Sequence, residues 1–381
     1  MRTAASTSPL KALLFGGAVA GALIGCTSDY EVIPEPVDVD PADVTECPFT
    51  PISGTQLSVY DCNPVFTTQS GSLEVDSVGF LTTTVVGHPF HQIWFSASGG
   101  TGYELHYAAS GDGTSWDAHP SNPLLLSQSG AWDQDIMDAI QVVWDPDTAS
   151  YVMTYQGVTL PTSDWDFGTW GLGVATSPDG VTWTKHAANP VIDFIALAGD
   201  GFTPYVSPCW PLALTKAAYG FTGYIGAQYV DPWDFTGTTP ACDVYSATAS
   251  SLASWSLGGN PILSAGGPYD TAGIAGAAVV EHGGLHYMFY IGFEEWVSSG
   301  PNTVSSKYHH LNLATSMDGV TWSKSPANPL PVSLTEEGLI SGIGAQVVGS
   351  RIHLWITDFY ESESGQAIGY YLFEPDIDPH P

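Results

Sequence analysis

Short apolar runs recur in pairs along most of the chain, an aliphatic stretch followed closely by an aromatic one. Val85-Val86 precedes Trp94-Phe95, Val142-Val143 precedes Tyr151–Tyr155, Val279-Val280 precedes Tyr287–Tyr290, and Val347-Val348 precedes Leu354-Trp355. β-Branched and aromatic residues in short runs are strand formers. A polar phrase punctuates the pairs: Ser110-Gly111-Asp112-Gly113-Thr114-Ser115-Trp116, Ser177–Trp183 and Ser316–Trp322, with a worn copy at Ser250–Trp255. Asp-Gly supplies a hairpin turn, so Asp112, Asp179 and Asp318 read as turn residues. Trp116, Trp183, Trp255 and Trp322, at intervals of 67, 72 and 67 residues, read as wedges packed between neighbouring sheets.

An Asn-Pro follows each copy, at Asn122, Asn189, Asn260 and Asn328, and a fifth stands alone at Asn63. About four strands per repeating unit is the plan of a propeller blade. Five marks predict an all-β, five-bladed β-propeller with about four antiparallel strands per blade, closed by an N-terminal strand. The isolated mark at Asn63 has a role only if residues 55–66 complete the last blade, which hides the sheet edges. An open solenoid would need atypical caps and would leave that mark unexplained. The expected blades span about 67–126, 127–192, 193–263, 264–331, and 332–375 with 55–66, within a domain of 47–376.

The N-terminus reads differently. Arg2 and Lys11 precede an apolar run, Ala12–Ile24, too short and too rich in small residues to span a bilayer as a helix. It ends in Leu23-Ile24-Gly25-Cys26, which resembles a bacterial lipobox. That resemblance implies a signal peptide over 1–25, acylation of Cys26 and export to the cell envelope, at the outer membrane or cell surface. Residues 26–46 carry seven acidic residues, with prolines at 34, 36 and 41, and read as an extended tether. In an oxidising compartment the remaining cysteines should pair. The local pairings, Cys47–Cys62 and Cys209–Cys242, each close one short loop within one unit.

Composition narrows the partners. Of 381 residues, 39 are acidic and 7 basic, a formal charge of -32. Nucleic-acid binding needs a basic footprint that this chain lacks, and attraction to anionic lipid is excluded likewise. The expectation is a monomer that meets a membrane only through its lipid anchor and a neutral glycan through its folded part.

Ala-Thr-Ser-x-Asp-Gly-Val-Thr-Trp, at 175–183 and 314–322 and followed by Asn-Pro, resembles the five-bladed propellers of glycoside hydrolase families 43 and 32. The resemblance covers most of residues 55–375. The phrase is also similar to the Asp-box of sialidases but lacks that motif's extra residue between Asp and Gly. Sialidases grip a carboxylate with three arginines, and the chain beyond Cys26 has only Arg351, which excludes them.

For the arabinanase type the resemblance implies three axial carboxylates: an Asp base on the first blade, an orienting Asp on the second and a Glu acid on the third. Such a set lets one group protonate the leaving oxygen while another activates water. Asp76 lies 13 residues after Asn63, and Asp135 lies 13 after Asn122, so equal spacing predicts matched positions. Asp76 fits the base, and Asp138 fits the second Asp as well as Asp135 does. No glutamate occurs between Glu104 and Glu281, so the expected acid is missing. Asp200, Asp231, Asp234 and Asp270 remain as stand-ins.

Outside the repeats lie Trp132, Trp165, Trp170, Trp210, Trp233 and Trp296. Flat aromatics stack on sugar C–H faces, which makes Trp132, Trp210, Trp233 and Trp296 candidates for a glycan platform. The cluster Asp133, Asp135 and Asp138 offers hard oxygen ligands, so calcium at the axis is the one cofactor this chemistry would accommodate. His309-His310 and His88/His91 lack an evident third ligand for a transition metal.

Overall fold

The computed structural model describes residues 47–67, 74–85, 88–98, 103–127, 130–160, 169–194, 205–230, 241–300, 303–332, 340–360 and 365–375. The signal, the tether and Cys26 lie outside the described residues. The compact unit that begins at Thr45 is all-β.

β1 (Phe49–Pro51), β2 (Leu57–Tyr60) and β3 (Phe66–Thr67) come first and serve the last blade. Blade one is β4 (Glu74–Val85), β5 (His88–Ser98), β6 (Tyr103–Ser110) and β7 (Asp117–Ala118), with β8 (Leu125–Leu126) also on β6. Blade two is β9 (Ile136–Asp145), β10 (Ser150–Thr159), β11 (Thr169–Ser177) and β12 (Thr184–Lys185), with β13 (Ile192–Asp193) on β11. Blade three is β14 (Tyr205–Ala217), β15 (Gly220–Val230), β16 (Asp243–Ser251) and β17 (Ser254–Leu257). Blade four is β18 (Gly273–His282), β19 (Leu285–Gly300), β20 (Thr303–Ser316) and β21 (Ser323–Lys324). Blade five is β22 (Ile340–Val348), β23 (Arg351–Tyr360) and β24 (Gly365–Phe373), completed by β2, with β1 outside it. The innermost strands β4, β9, β14, β18 and β22 touch in that order, and β22 returns to β4.

The repeated phrase works through local hydrogen bonds. In blade one, the Asp112 carboxylate accepts the N–H groups of Thr114 (2.8 Å) and Ser115 (2.7 Å). Ser110 Oγ accepts from Gly113 N (2.8 Å) and donates to Asp112 (2.9 Å). Gly113 sits at φ +79°, where a side chain would be strained. Asp179 and Asp318 repeat the arrangement. Asp112 resists protonation: burial works against its charge, but the donors from Ser115 and Thr114 outweigh it.

The tryptophans link turn to blade. Trp183 Nε1 donates to Gly180 O, and Trp94 of blade one reaches the same oxygen at 2.7 Å. Trp355 of blade five reaches Gly113 O of blade one.

Four of the five Asn marks imitate a strand residue, and the worn copy's Asn260 shows no such pair of bonds. Asn122 Oδ1 accepts Tyr107 N, and its Nδ2 donates to Tyr107 O, both at 2.9 Å. Asn189 does this on Val174 and Asn328 on Leu313. Asn63 does it on Tyr370 of the last blade. That is the physical role of the lone N-terminal mark: it and β2 are the seam that closes the ring. The Cys47–Cys62 and Cys209–Cys242 disulfides are both present.

Candidate functional site

Every innermost strand carries a bulge, and β14 a second one at Leu212. Pairing skips Asp76 in β4, Cys209 in β14, Ala275 in β18 and Ser341 in β22. In β9, Ala139-Ile140 stand opposite one residue of β10, and Ala139 takes φ +51°. A bulge bends its strand and re-aims side chains. Where blades two to five bend this way they enclose a cavity of about 270 Å³. Asp138, Gln141, Gln156, Trp210, His309 and Ser341 are among its lining residues.

Three of these side chains are anchored on the neighbouring blade. Asp138 Oδ1 accepts a 2.7 Å hydrogen bond from Ser96 Oγ of blade one. Trp210 Nε1 donates to Ile274 O of blade four at 3.0 Å. His309 Nδ1 lies 2.6 Å from Ile340 O of blade five, a carbonyl that can only accept, so this nitrogen carries a proton. Inter-blade anchoring holds the groups in place before any ligand arrives. Sequence reasoning missed Ser96 altogether and considered His309 only as a metal ligand.

The acidic cluster predicted at Asp133, Asp135 and Asp138 is dispersed. Asp138 lines the cavity, whereas Asp135 accepts the backbone N–H of Leu160 at 2.7 Å. Asp133 is fully buried, bonded to Tyr155 Oη (2.9 Å) and Lys185 Nζ (2.6 Å). Asp270, a stand-in acid by sequence, repeats that buried unit in blade four with Tyr290 (3.0 Å) and Lys324 (2.5 Å). Burial, then the neighbouring aspartate charge, pushes both tyrosine hydroxyls far up. These two aspartates are structural anchors, not proton donors for an axial ligand. Among the described residues, no group of three or more His, Cys, Asp or Glu side chains converges as a metal site.

The equal 13-residue spacings of Asp76 and Asp135 do not mark matched positions. Asp76 occupies the bulge of β4, but Asp135 lies four residues ahead of Ala139 at the bulge of β9. The side chain of Asp76 lies outside the described residues, as do Asp200, Asp231 and Asp234. Of the two platform candidates whose side chains are described, Trp210 lines the cavity and Trp132 does not. Trp132 packs on the Tyr155 ring (centroids 5.9 Å apart) over Gly157, where a Cβ would meet its ring. Trp170 stands edge-on to Phe194. Trp165, Trp233 and the Trp296 side chain lie outside the described residues. His310 pairs with Glu294 at 2.7 Å, and His91 packs at a tilt against Trp355, while the His88 side chain lies outside the described residues.

Solved structures share this architecture. A glycoside hydrolase superposes with a TM-score of 0.60 at 14% identity, covering 82% of this chain and 90% of the other. A thermostable family-43 glycoside hydrolase gives 0.55 at 16% identity, covering 83% and 98%. A family-32 β-fructofuranosidase from Bombyx mori gives 0.54 at 12% identity, covering 81% of this chain and 62% of that longer one. The fold is that of the five-bladed glycoside hydrolase propellers. No protein-family model and no curated protein matches the sequence. At such identities the likeness concerns architecture, and the site has to be judged on its own residues.

On that basis, the third blade differs from what the resemblance implies. β14 contains no Asp or Glu anywhere in Tyr205–Ala217. Its bulge residue, Cys209, is buried and joined to Cys242, and the next residue, Trp210, faces the cavity.

Proposed function

We propose that this protein is a glycan-binding propeller of the cell envelope that holds a sugar free of anionic groups in its axial cavity without hydrolysing it. The observation that carries the reading is the pairing of Asp138 with Trp210 across one pre-anchored cavity, while β14 holds a cystine and no carboxylate. A carboxylate that accepts hydroxyl protons beside a flat aromatic surface is a sugar-binding combination. The volume, at the low end for small-molecule sites, suits one or two sugar rings. Hydrolysis by the two-carboxylate route needs an acid facing the base across the bond. β18 carries its only carboxylate, Glu281, at the far end, and β22 carries none.

Titration calorimetry against neutral oligosaccharides tests this. Asp138→Asn, which loses one charge-assisted hydrogen bond, and Trp210→Ala, which loses the stacking face, should each weaken binding by about tenfold, with no reducing ends released. Release of reducing sugar by the wild type, lost in Asp76→Ala, would restore the hydrolase reading with Asp76 as base.

The envelope location rests on Cys26 after a short apolar run and an acidic, proline-bearing tether. Cells expressing the full chain should incorporate labelled palmitate into it, and Cys26→Ala should lose both label and membrane association. Retention of the label in that variant would remove the anchor from the proposal.

A further inference from the structure

The cavity tryptophan sits on a stretch of strand that its own sheet holds poorly. From Pro208 to Leu212, pairing with β15 skips Cys209 and Leu212, and Pro208 and Pro211 have no N–H to donate. Only Trp210, opposite Gly226, combines a ladder position with a backbone donor in that stretch. An indole carried there needs restraint from outside the ladder.

The restraint is a closed circuit of bonds. Cys209, one residue before Trp210, is joined covalently to Cys242. The Cys242 carbonyl accepts Ile274 N of blade four at 3.0 Å, and the Ile274 carbonyl accepts Trp210 Nε1, also at 3.0 Å. The circuit thus runs from the β14 backbone through the cystine, the next blade and the indole back to the same backbone. Cys209, Cys242 and Ile274 are all buried, which strengthens these hydrogen bonds. Gly226 completes the seat, since a Cβ there would come within 3.2 Å of Trp210 Nε1.

We infer that the Cys209–Cys242 cystine sets the Trp210 indole for the ligand, so that both half-cystines are positioning residues of the cavity. The inference rests on the glycan-binding reading above and identifies what holds its aromatic face. The contrast is Cys47–Cys62, which flanks the β1–β2 hairpin, where no residue lines the cavity. With the circuit cut, the ligand itself has to order the indole, which weakens binding by about fivefold.

Fluorine NMR of the full chain labelled with fluorotryptophan tests the positioning, with Trp210→Phe assigning the Trp210 line. Cys209→Ala/Cys242→Val, which fills much of the buried volume, should move or broaden that line while the other tryptophan lines hold. Cys47→Ala/Cys62→Ala should leave it in place. An unchanged Trp210 line in the folded Cys209→Ala/Cys242→Val chain would overturn the inference. Should that variant fail to fold, reduction of the Cys47→Ala/Cys62→Ala chain by a phosphine is the second measurement. There the Trp210 line should move ahead of the others, and simultaneous movement of all lines would overturn the inference. Calorimetry with glucose, xylose and arabinose trisaccharides reads the effect on binding. Loss of the cystine should weaken binding about fivefold beside Trp210 and less than about twofold in a Trp210→Ala background. Equal losses in both backgrounds would make the cystine a general brace of the fold. If the wild type binds none of these sugars, the glycan reading falls, and the fluorine lines still decide the positioning.

Discussion

Replacing Lys185 with methionine should destabilise the propeller by about 3–5 kcal/mol, the usual consequence of stranding one partner of a buried ion pair. Asp133 has no exposed surface, and the ammonium of Lys185 lies 2.6 Å from it. Methionine fills the volume but leaves the carboxylate only the Tyr155 hydroxyl as a side-chain donor among the described residues. Removing the acid as well, in Asp133→Leu/Lys185→Met, should recover much of the loss, because the desolvated charge is then gone. Urea unfolding of the wild type, the single variant and the double variant measures this directly. A single variant within about 0.5 kcal/mol of wild type would mean that the pair contributes no more than a surface ion pair. Lys324→Met should behave alike, since Asp270, Tyr290 and Lys324 reproduce the unit in blade four.

This duplicated unit shows what was legible in the sequence and what was not. The blades were readable because the Ser-x-Asp-Gly-x-Thr-Trp turn and the Asn marks satisfy their own hydrogen bonds within a few residues or on an adjoining strand. Even the worn third copy keeps a tryptophan bonded locally, Trp255 Nε1 to Leu252 O. The ring closure was readable for the same reason, from Asn63. The buried pairs join residues 52 and 54 apart, beyond any local pattern, yet a signal existed. A lysine stands two residues after the repeat tryptophan at Lys185 and Lys324, in the two blades whose innermost strand follows Asp133 or Asp270 by three residues. Matching those blades against each other would have separated structural aspartates from axial ones. The cavity was harder to foresee, because its floor is set by bulges. The stretch from the Asn mark to the bulge is four residues longer in blade two than in blade one, so equal spacing matches Asp76 with Asp135 although Ala139 occupies the bulge. Trp210 enters the cavity as the neighbour of a bulged cystine, a consequence of β14 register that spacing alone does not encode.

The seam between blades one and five should make the protein lose stability between about pH 6.5 and pH 4. His91 of β5 is buried, with its ring 6.4 Å from that of His353 on β23 and 5.0 Å from the Trp355 indole. Both histidines are pushed down to about 4, chiefly by burial. The Asp112 carboxylate opposes the shift at His91, while His91 and Arg351 deepen it at His353. Tyr370 is a further titratable contact, its hydroxyl 2.5 Å from His353 Nδ1, and burial pushes it upward out of this range. A depressed histidine pKa means that the unfolded chain binds the proton first. The stability these rings contribute is therefore complete above the unfolded value of 6.5, declines as pH falls below it, and is gone below 4. Each ring carries about 3 kcal/mol of that dependence. Protonation of the many carboxylates relieves self-repulsion over the lower part of the same range, so the raw profile mixes opposing effects. Comparison with His91→Gln/His353→Gln isolates the histidines: urea midpoints of the wild type should fall from about pH 7 to about pH 4.5 by clearly more than those of the variant. Parallel profiles for the two proteins would show that the seam histidines are protonated as readily in the folded state as in the unfolded one, and that closure of the ring does not depend on keeping them neutral.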